Sequence, residues 1–233
     1  MARSLLLNLR KTDSFRHARW CRAFAACALL SSLGTISYAQ PFLYVANQNA
    51  SNVAVINTVT NAVAATPATG FSPSGVALSP DGTRLYVANP NSQLVTVHNT
   101  ANNSLVANLS IGQLPMAVAA DATRLYVTLH GNAGLTVYNA ATLGQIATVR
   151  VGFGPCAVAV SPANGRVYVA NTFSNSVSVL DPTRAGTVNN PVIDTIPVPD
   201  SPIALALSPD GLTAWVVSAF SPTVTRINPF PPI

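Results

Sequence analysis

The chain has 233 residues, 49% hydrophobic and 8% charged, with a formal net charge of +5. Residues 1–39 hold six basic side chains against Asp13, which accounts for the whole excess; from Gln40 onward six arginines meet six aspartates, with no Glu and no Lys. A neutral body of this kind lacks the cation cluster that releases counterions from phosphates, which excludes nucleic acid as a partner.

The N-terminal segment reads as a secretory leader. A basic stretch from Arg3 to Arg22 precedes an apolar run, Ala23 to Leu33, and a small-x-small site, Ser37-Tyr38-Ala39. The run is about a dozen residues, against the roughly 20 needed to span a bilayer. Residues 1–39 are therefore assigned as a signal peptide and residues 40–233 as the mature domain. The mature chain is expected in the periplasm or outside the cell, with no transmembrane segment. Cys21 and Cys27 leave with the leader, and Cys156, in an apolar strand, is expected to be a buried inert thiol.

The mature part is a repeat. Tyr44, Tyr86, Tyr126, Tyr168 and Trp215 recur at separations of 42, 40, 42 and 47 residues. Pro73, Pro115, Pro155 and Pro202 follow the same spacing, including the one long unit. One unit reads strand by strand. Gly75 to Leu78 is a short apolar strand, Ser79-Pro80-Asp81-Gly82 a turn, and Arg84 to Ala88 a second strand. Leu94 to Val97 and Leu105 to Ile111 are the third and fourth. Four short strands without helical period make one blade of a β-propeller. The predicted fold is all-β, with four-stranded antiparallel blades in about five units. First strands carry small residues (Ala77, Ala117, Ala157, Ala204), as convergence on a central axis demands, and second strands carry the aromatic and β-branched ones.

The strand count is 18, because the first unit begins at its second strand and the last stops after its third. This predicts an open arc with apolar faces at both ends, and hence self-association.

The quartets Tyr44-Val45-Ala46-Asn47, Tyr86-Val87-Ala88-Asn89 and Tyr168-Val169-Ala170-Asn171, with Ser79-Pro80-Asp81-Gly82 and Ser208-Pro209-Asp210-Gly211, resemble the YVTN family of β-propeller repeats. The resemblance covers nearly all of residues 41–228. It implies an exported propeller, usually seven-bladed, among relatives that include surface-layer-like proteins, lactonase-like hydrolases and a periplasmic protein of haem d1 biogenesis. The third unit departs from the pattern, with Ala120-Asp121-Ala122-Thr123 at its turn and Leu129-His130 after its second strand. The fold of such a family leaves function open.

Candidate chemistry is sparse. There is no Cys-x-x-Cys-His, no phosphate-binding Gly-rich motif and no His-Glu-x-x-His, so no cofactor, metal site or catalytic residue is assigned. His98 is read as a turn residue in the place of Asn57, Asn139 or Asp181. Arg84, Arg124 and Arg166 repeat, which points to structure, pairing across the Asp-bearing turns. Loops after second strands and before first strands share one face of a propeller. That face would hold Asn89, His130, Asn132, Asn171 and Phe173, with Asp200 near the channel mouth; these six are the candidate ligand-binding residues. An amide-rich, nearly uncharged surface suits a protein or a small polar ligand. The function expected is a non-catalytic binding or scaffold module of the cell envelope, and the alternative is a lactonase-like hydrolase or a periplasmic cofactor-handling propeller. Intact-mass measurement of the exported protein is expected to show loss of residues 1–39; a mass that retains them would remove the leader assignment.

Overall fold

The computed structural model describes residues 42–187 and 190–228. The leader, residues 1–39, lies outside the described residues.

The described residues form 18 strands in five antiparallel meanders. Blade 1 comprises β1 (Phe42–Asn47), β2 (Asn52–Asn57) and β3 (Ala62–Ala65). Blade 2 comprises β4 (Val76–Leu78), β5 (Arg84–Asn89), β6 (Leu94–Asn99) and β7 (Leu105–Ser110). Blade 3 comprises β8 (Pro115–Ala120), β9 (Arg124–Leu129), β10 (Gly134–Asn139) and β11 (Gln145–Arg150). Blade 4 comprises β12 (Pro155–Val160), β13 (Val167–Asn171), β14 (Ser176–Leu180) and β15 (Val192–Pro197). Blade 5 comprises β16 (Pro202–Leu207), β17 (Ala214–Ser218) and β18 (Val224–Ile227). The architecture is a β-propeller, as the repeat predicts.

Turn chemistry explains the meander. In Ser79-Pro80-Asp81-Gly82 the Ser79 hydroxyl donates to the Asp81 carboxylate, and the Gly82 amide donates to the Ser79 carbonyl with Gly82 at φ +69°. Ser208 to Gly211 repeats the arrangement. In the third unit Asp121 does the work of the whole turn. It accepts from the amides of Thr123 and Arg124 and, at 2.6 Å, from the Tyr126 hydroxyl. Burial pushes the Asp121 carboxyl up, but the hydrogen bonds from Tyr126 and Thr123 outweigh it and hold the group below the usual range. The turns between third and fourth strands are closed by Asn57, Asn99, Asn139 and Asp181, each accepting from the amide two residues on.

His98 is corrected by this register. Asn99, not His98, is the turn residue. His98 pairs with Leu85 inside the sheet and is 2% exposed, in the place held elsewhere by Ile56, Tyr138 and Leu180. A slip of one residue along a strand moves a side chain to the other face and into the packed interior. Burial lowers its affinity for a proton, opposed only in part by the Asn103 backbone, and neither ring nitrogen makes a full hydrogen bond among the described residues.

First strands of successive blades touch one another at the axis. The approach is close: a Cβ on Gly75 would lie 2.7 Å from the Met116 carbonyl and 2.8 Å from Ala117 Cα. The alanines of β8, β12 and β16 answer the same constraint. Cys156 is buried, with its thiol 3.2 Å from the Pro202 carbonyl of the next blade.

The second and third strands carry the core, and each blade has two different faces. Tyr86 and Ala88 of blade 2 pack on Leu125 and Val127 of blade 3. Tyr126 of blade 3 packs on Val167 and Val169 of blade 4, and Tyr168 on Ala214 and Val216 of blade 5. Tyr44 of blade 1 faces Leu85 and Val87 of blade 2. Among the described residues, four such apolar clusters join five blades in a row, and none bridges the last blade to the first. The described residues thus form an arc with two end faces that no other described blade covers. At one of them stands Trp215, 40% exposed, whereas Tyr86, Tyr126 and Tyr168 are fully buried. Arg84 does not reach an aspartate turn as expected: it donates through Nη1 to the carbonyls of Ala140 and Ala141 in the next blade.

Replacing Tyr126 by Ala is expected to cost about 3 kcal/mol in denaturant unfolding, as for other large core truncations, and the same change at the exposed Trp215 less than half as much. Equal costs would contradict the arc. His98 adds a pH dependence. The unfolded chain takes up a proton at His98 near its ordinary value of about 6.5, while the folded chain resists it. Stability is therefore complete above that pH and falls as the pH drops below it. In urea titrations between pH 7.5 and 5.5, His98→Leu is expected to flatten that slope.

Candidate functional site

Strand direction sorts the connections onto two faces. Connections from first to second and from third to fourth strands lie on one face, and carry Asp81, Asp121, Asp181, Asp210 and Arg184. Arg184 and Asp181 pair there at 3.2 Å. The opposite face holds the loops after second strands and before first strands. Its exposed side chains are of another kind: Phe71, Phe153, Phe173 and Phe220 are each more than 60% exposed.

One cleft of this second face lies between blades 3 and 4. It measures about 710 Å³ and is lined by His130, Asn132, Arg150, Phe153 and Phe173. The loop Gly131 to Ala133 supplies Asn132, and β11 ends in Arg150. Backbone bonds set the other wall: the Phe153 amide donates to the Ser174 hydroxyl and the Phe173 amide to the Phe153 carbonyl. The His130 and Phe173 rings meet at 5.2 Å, tilted by 58°. A side chain at Gly154, with φ +64°, would collide with the Phe173 ring, so the glycine is what lets that ring lie across the loop. Burial lowers the proton affinity of His130, opposed by the nearby Pro155 and Gly154 backbone, so the imidazole is neutral at pH 7. The site offers two phenyl rings, a neutral imidazole, an amide and one guanidinium: stacking surface with a few directional polar groups.

The structure brings together three of the six candidates, His130, Asn132 and Phe173. Asn89 and Asn171 do not face this cleft. Both end a second strand fully buried, with their amide nitrogens spent on Val87 O and Thr96 Oγ1, and on the Ser176 and Ser178 hydroxyls. They also explain the glycine of the Gly-x-x-Pro loops. A Cβ on Gly70 would lie 2.8 Å from the Asn89 Cβ, and one on Gly152 2.7 Å from that of Asn171. In blade 5 the pair is exchanged for Pro199 and Ser218, whose hydroxyl donates to the Pro199 carbonyl. Asp200 is exposed and separate from the cleft, accepting from the Asn175 side chain at 2.9 Å. Sequence reasoning passed over Arg150. The signal available was its single occurrence at the end of a fourth strand, where the other units have Ser110 and Pro197. Among the described residues no three His, Cys, Asp or Glu side chains gather to hold a metal ion, and no helix is long and apolar enough to cross a membrane.

No protein-family model and no curated protein matches the sequence. Solved structures do. A protein of unknown function from Desulfotomaculum acetoxidans DSM 771 aligns over 85% of this chain and 69% of its own, at 18% identity and a TM-score of 0.64. The dihydro-haem d1 dehydrogenase NirN, solved in complex with DHE, aligns over 88% of this chain at 18% identity and a TM-score of 0.65. This chain spans 45% of the length of NirN. Hydrazine synthase of Kuenenia stuttgartiensis aligns at 14% identity over 82% of this chain and 93% of its own, with a TM-score of 0.49. At these identities the likeness is one of fold.

Proposed function

We propose that this chain is an exported, non-catalytic β-propeller binding module of the cell envelope, which takes a protein or a small polar, largely uncharged ligand on its phenylalanine-bearing face. The observation that carries the reading is the difference between the two faces: the turn aspartates Asp81, Asp121, Asp181 and Asp210 with Arg184 on one, exposed phenyl rings and the His130–Phe173 cleft on the other. Isolated exposed apolar residues are ordinary on a protein surface, but several gathered on one face mark an interaction site. The leader composition supports export, and the YVTN-type repeat is in keeping with it.

Catalysis would need ionisable groups converging on one point. In the cleft only His130 and Arg150 do so, and Asp200 is bonded elsewhere. The test has two arms. The exported protein is used to capture partners from envelope extract and is incubated with a panel of lactones. Phe173→Ala and His130→Ala are expected to reduce specific capture tenfold or more without lowering the melting temperature, and no lactone is expected to turn over. Turnover abolished by His130→Ala or Asp200→Ala would replace this reading with a hydrolase.

A further inference from the structure

The two free end faces are complementary to one another in the way that adjoining faces inside the chain already are. Every internal interface sets a face bearing the marker aromatic against a face bearing Leu, Val or Ala from the next blade. Blade 5 presents an aromatic face outward. Trp215 and Val217, with the paired Val224, correspond in register to Tyr86, Ala88 and Val95 of blade 2. Val224 is 56% exposed, whereas its counterparts Val95 and Val177 are fully buried. Blade 1 presents the opposite kind of face. Leu43 and Val45 correspond to Leu85 and Val87, and Ile56 and Val63 lie beside them on the same side of the sheet. Val63 is 59% exposed. We infer that copies of this chain associate head to tail, with the Trp215 face of blade 5 in one copy packed on the Leu43/Val45 face of blade 1 in the next. The contact continues across two molecules the packing that joins blades within one.

One residue departs from the internal pattern, and it fits. Arg226 occupies the position of Val97, opposite Trp215. Arginine on this side of a blade already has a precedent: Arg84, on the Tyr86 face, reaches across to the Ala140 and Ala141 carbonyls beyond the third strand of the next blade. The corresponding turn in blade 1 begins at Asn57. Arg226 would be received by that turn through backbone carbonyls while its stem covers apolar surface. Because the two faces differ, the contact is heterologous, and it generates a ring where the rotation closes and a longer assembly where it does not.

The heterologous geometry makes a mixing experiment decisive. In light scattering after size exclusion, the exported chain is expected at two or more times the monomer mass. Trp215→Lys and Val45→Lys are each expected to run as folded monomers, with wild-type circular dichroism. Mixed one to one, they are expected to form a dimer, since one retains an intact blade 1 face and the other an intact blade 5 face. Val106→Lys, at an exposed valine elsewhere, is expected to leave the wild-type mass unchanged. Monomeric wild-type protein would overturn the inference, because the faces would then be covered within the chain. So would association that survives either lysine, a mixture that stays monomeric, or dissociation by Val106→Lys. Should Trp215→Lys fail to fold, Trp215→Thr takes its place in the same mixture. None of these outcomes depends on the ligand proposed for the phenylalanine face.

Discussion

The contact between a tyrosine-bearing sheet face and the aliphatic face of the next blade is the interaction on which the molecule depends. A single antiparallel meander of four short strands cannot bury enough apolar surface to be stable alone. Stacking such sheets around an axis buries both faces of each interior second strand, and β5, β9 and β13 are accordingly apolar almost without a break. The same packing explains why Trp215 differs from the tyrosines it is aligned with. The strand is equivalent; among the described residues no further blade packs on it. The absence of a lid on that face turns a core position into a surface one.

Convergence at the axis imposes a second constraint, and it reaches the site. The inner strands must be small, and Gly75 shows how little room there is. The loops that enter those strands are pressed onto the ends of the second strands, so glycine stands over Asn89 and over Asn171. In the third unit the asparagine is replaced by Leu129 and the loop continues into His130. The structural amide is lost exactly where the cleft opens, and the neighbouring loop, freed by Gly154, lays Phe173 against the imidazole. The departure from the repeat and the His130–Phe173 cleft coincide.

Much of this was legible in the residues. The two independent markers, tyrosine and proline, set the period and hence the blades, and Ser-Pro-Asp-Gly set the first turn of the second and fifth units. The strand count also followed, because each strand-length apolar run and its turn residues can be read from the repeat. The register was less secure. His98 beside Asn99 could be assigned to turn or strand, and only pairing with Leu85 decides it. Arg84 could be matched to an aspartate by composition, yet it crosses to the next blade, where backbone carbonyls lie nearer.

The residues alone determined the fold class and the number of blades, since strand alternation and turn residues are local and repeat at a fixed period. Which candidates meet was decided by tertiary structure alone. His130, Asn132, Phe173 and the overlooked Arg150 come from two blades, 43 positions from His130 to Phe173, and their approach depends on how one sheet stacks on the next. Asn89, Asn171 and Asp200 looked equivalent to them in the chain. The structure separates them, because burial at a strand end and capture by a neighbouring loop are properties of packing that no periodicity encodes.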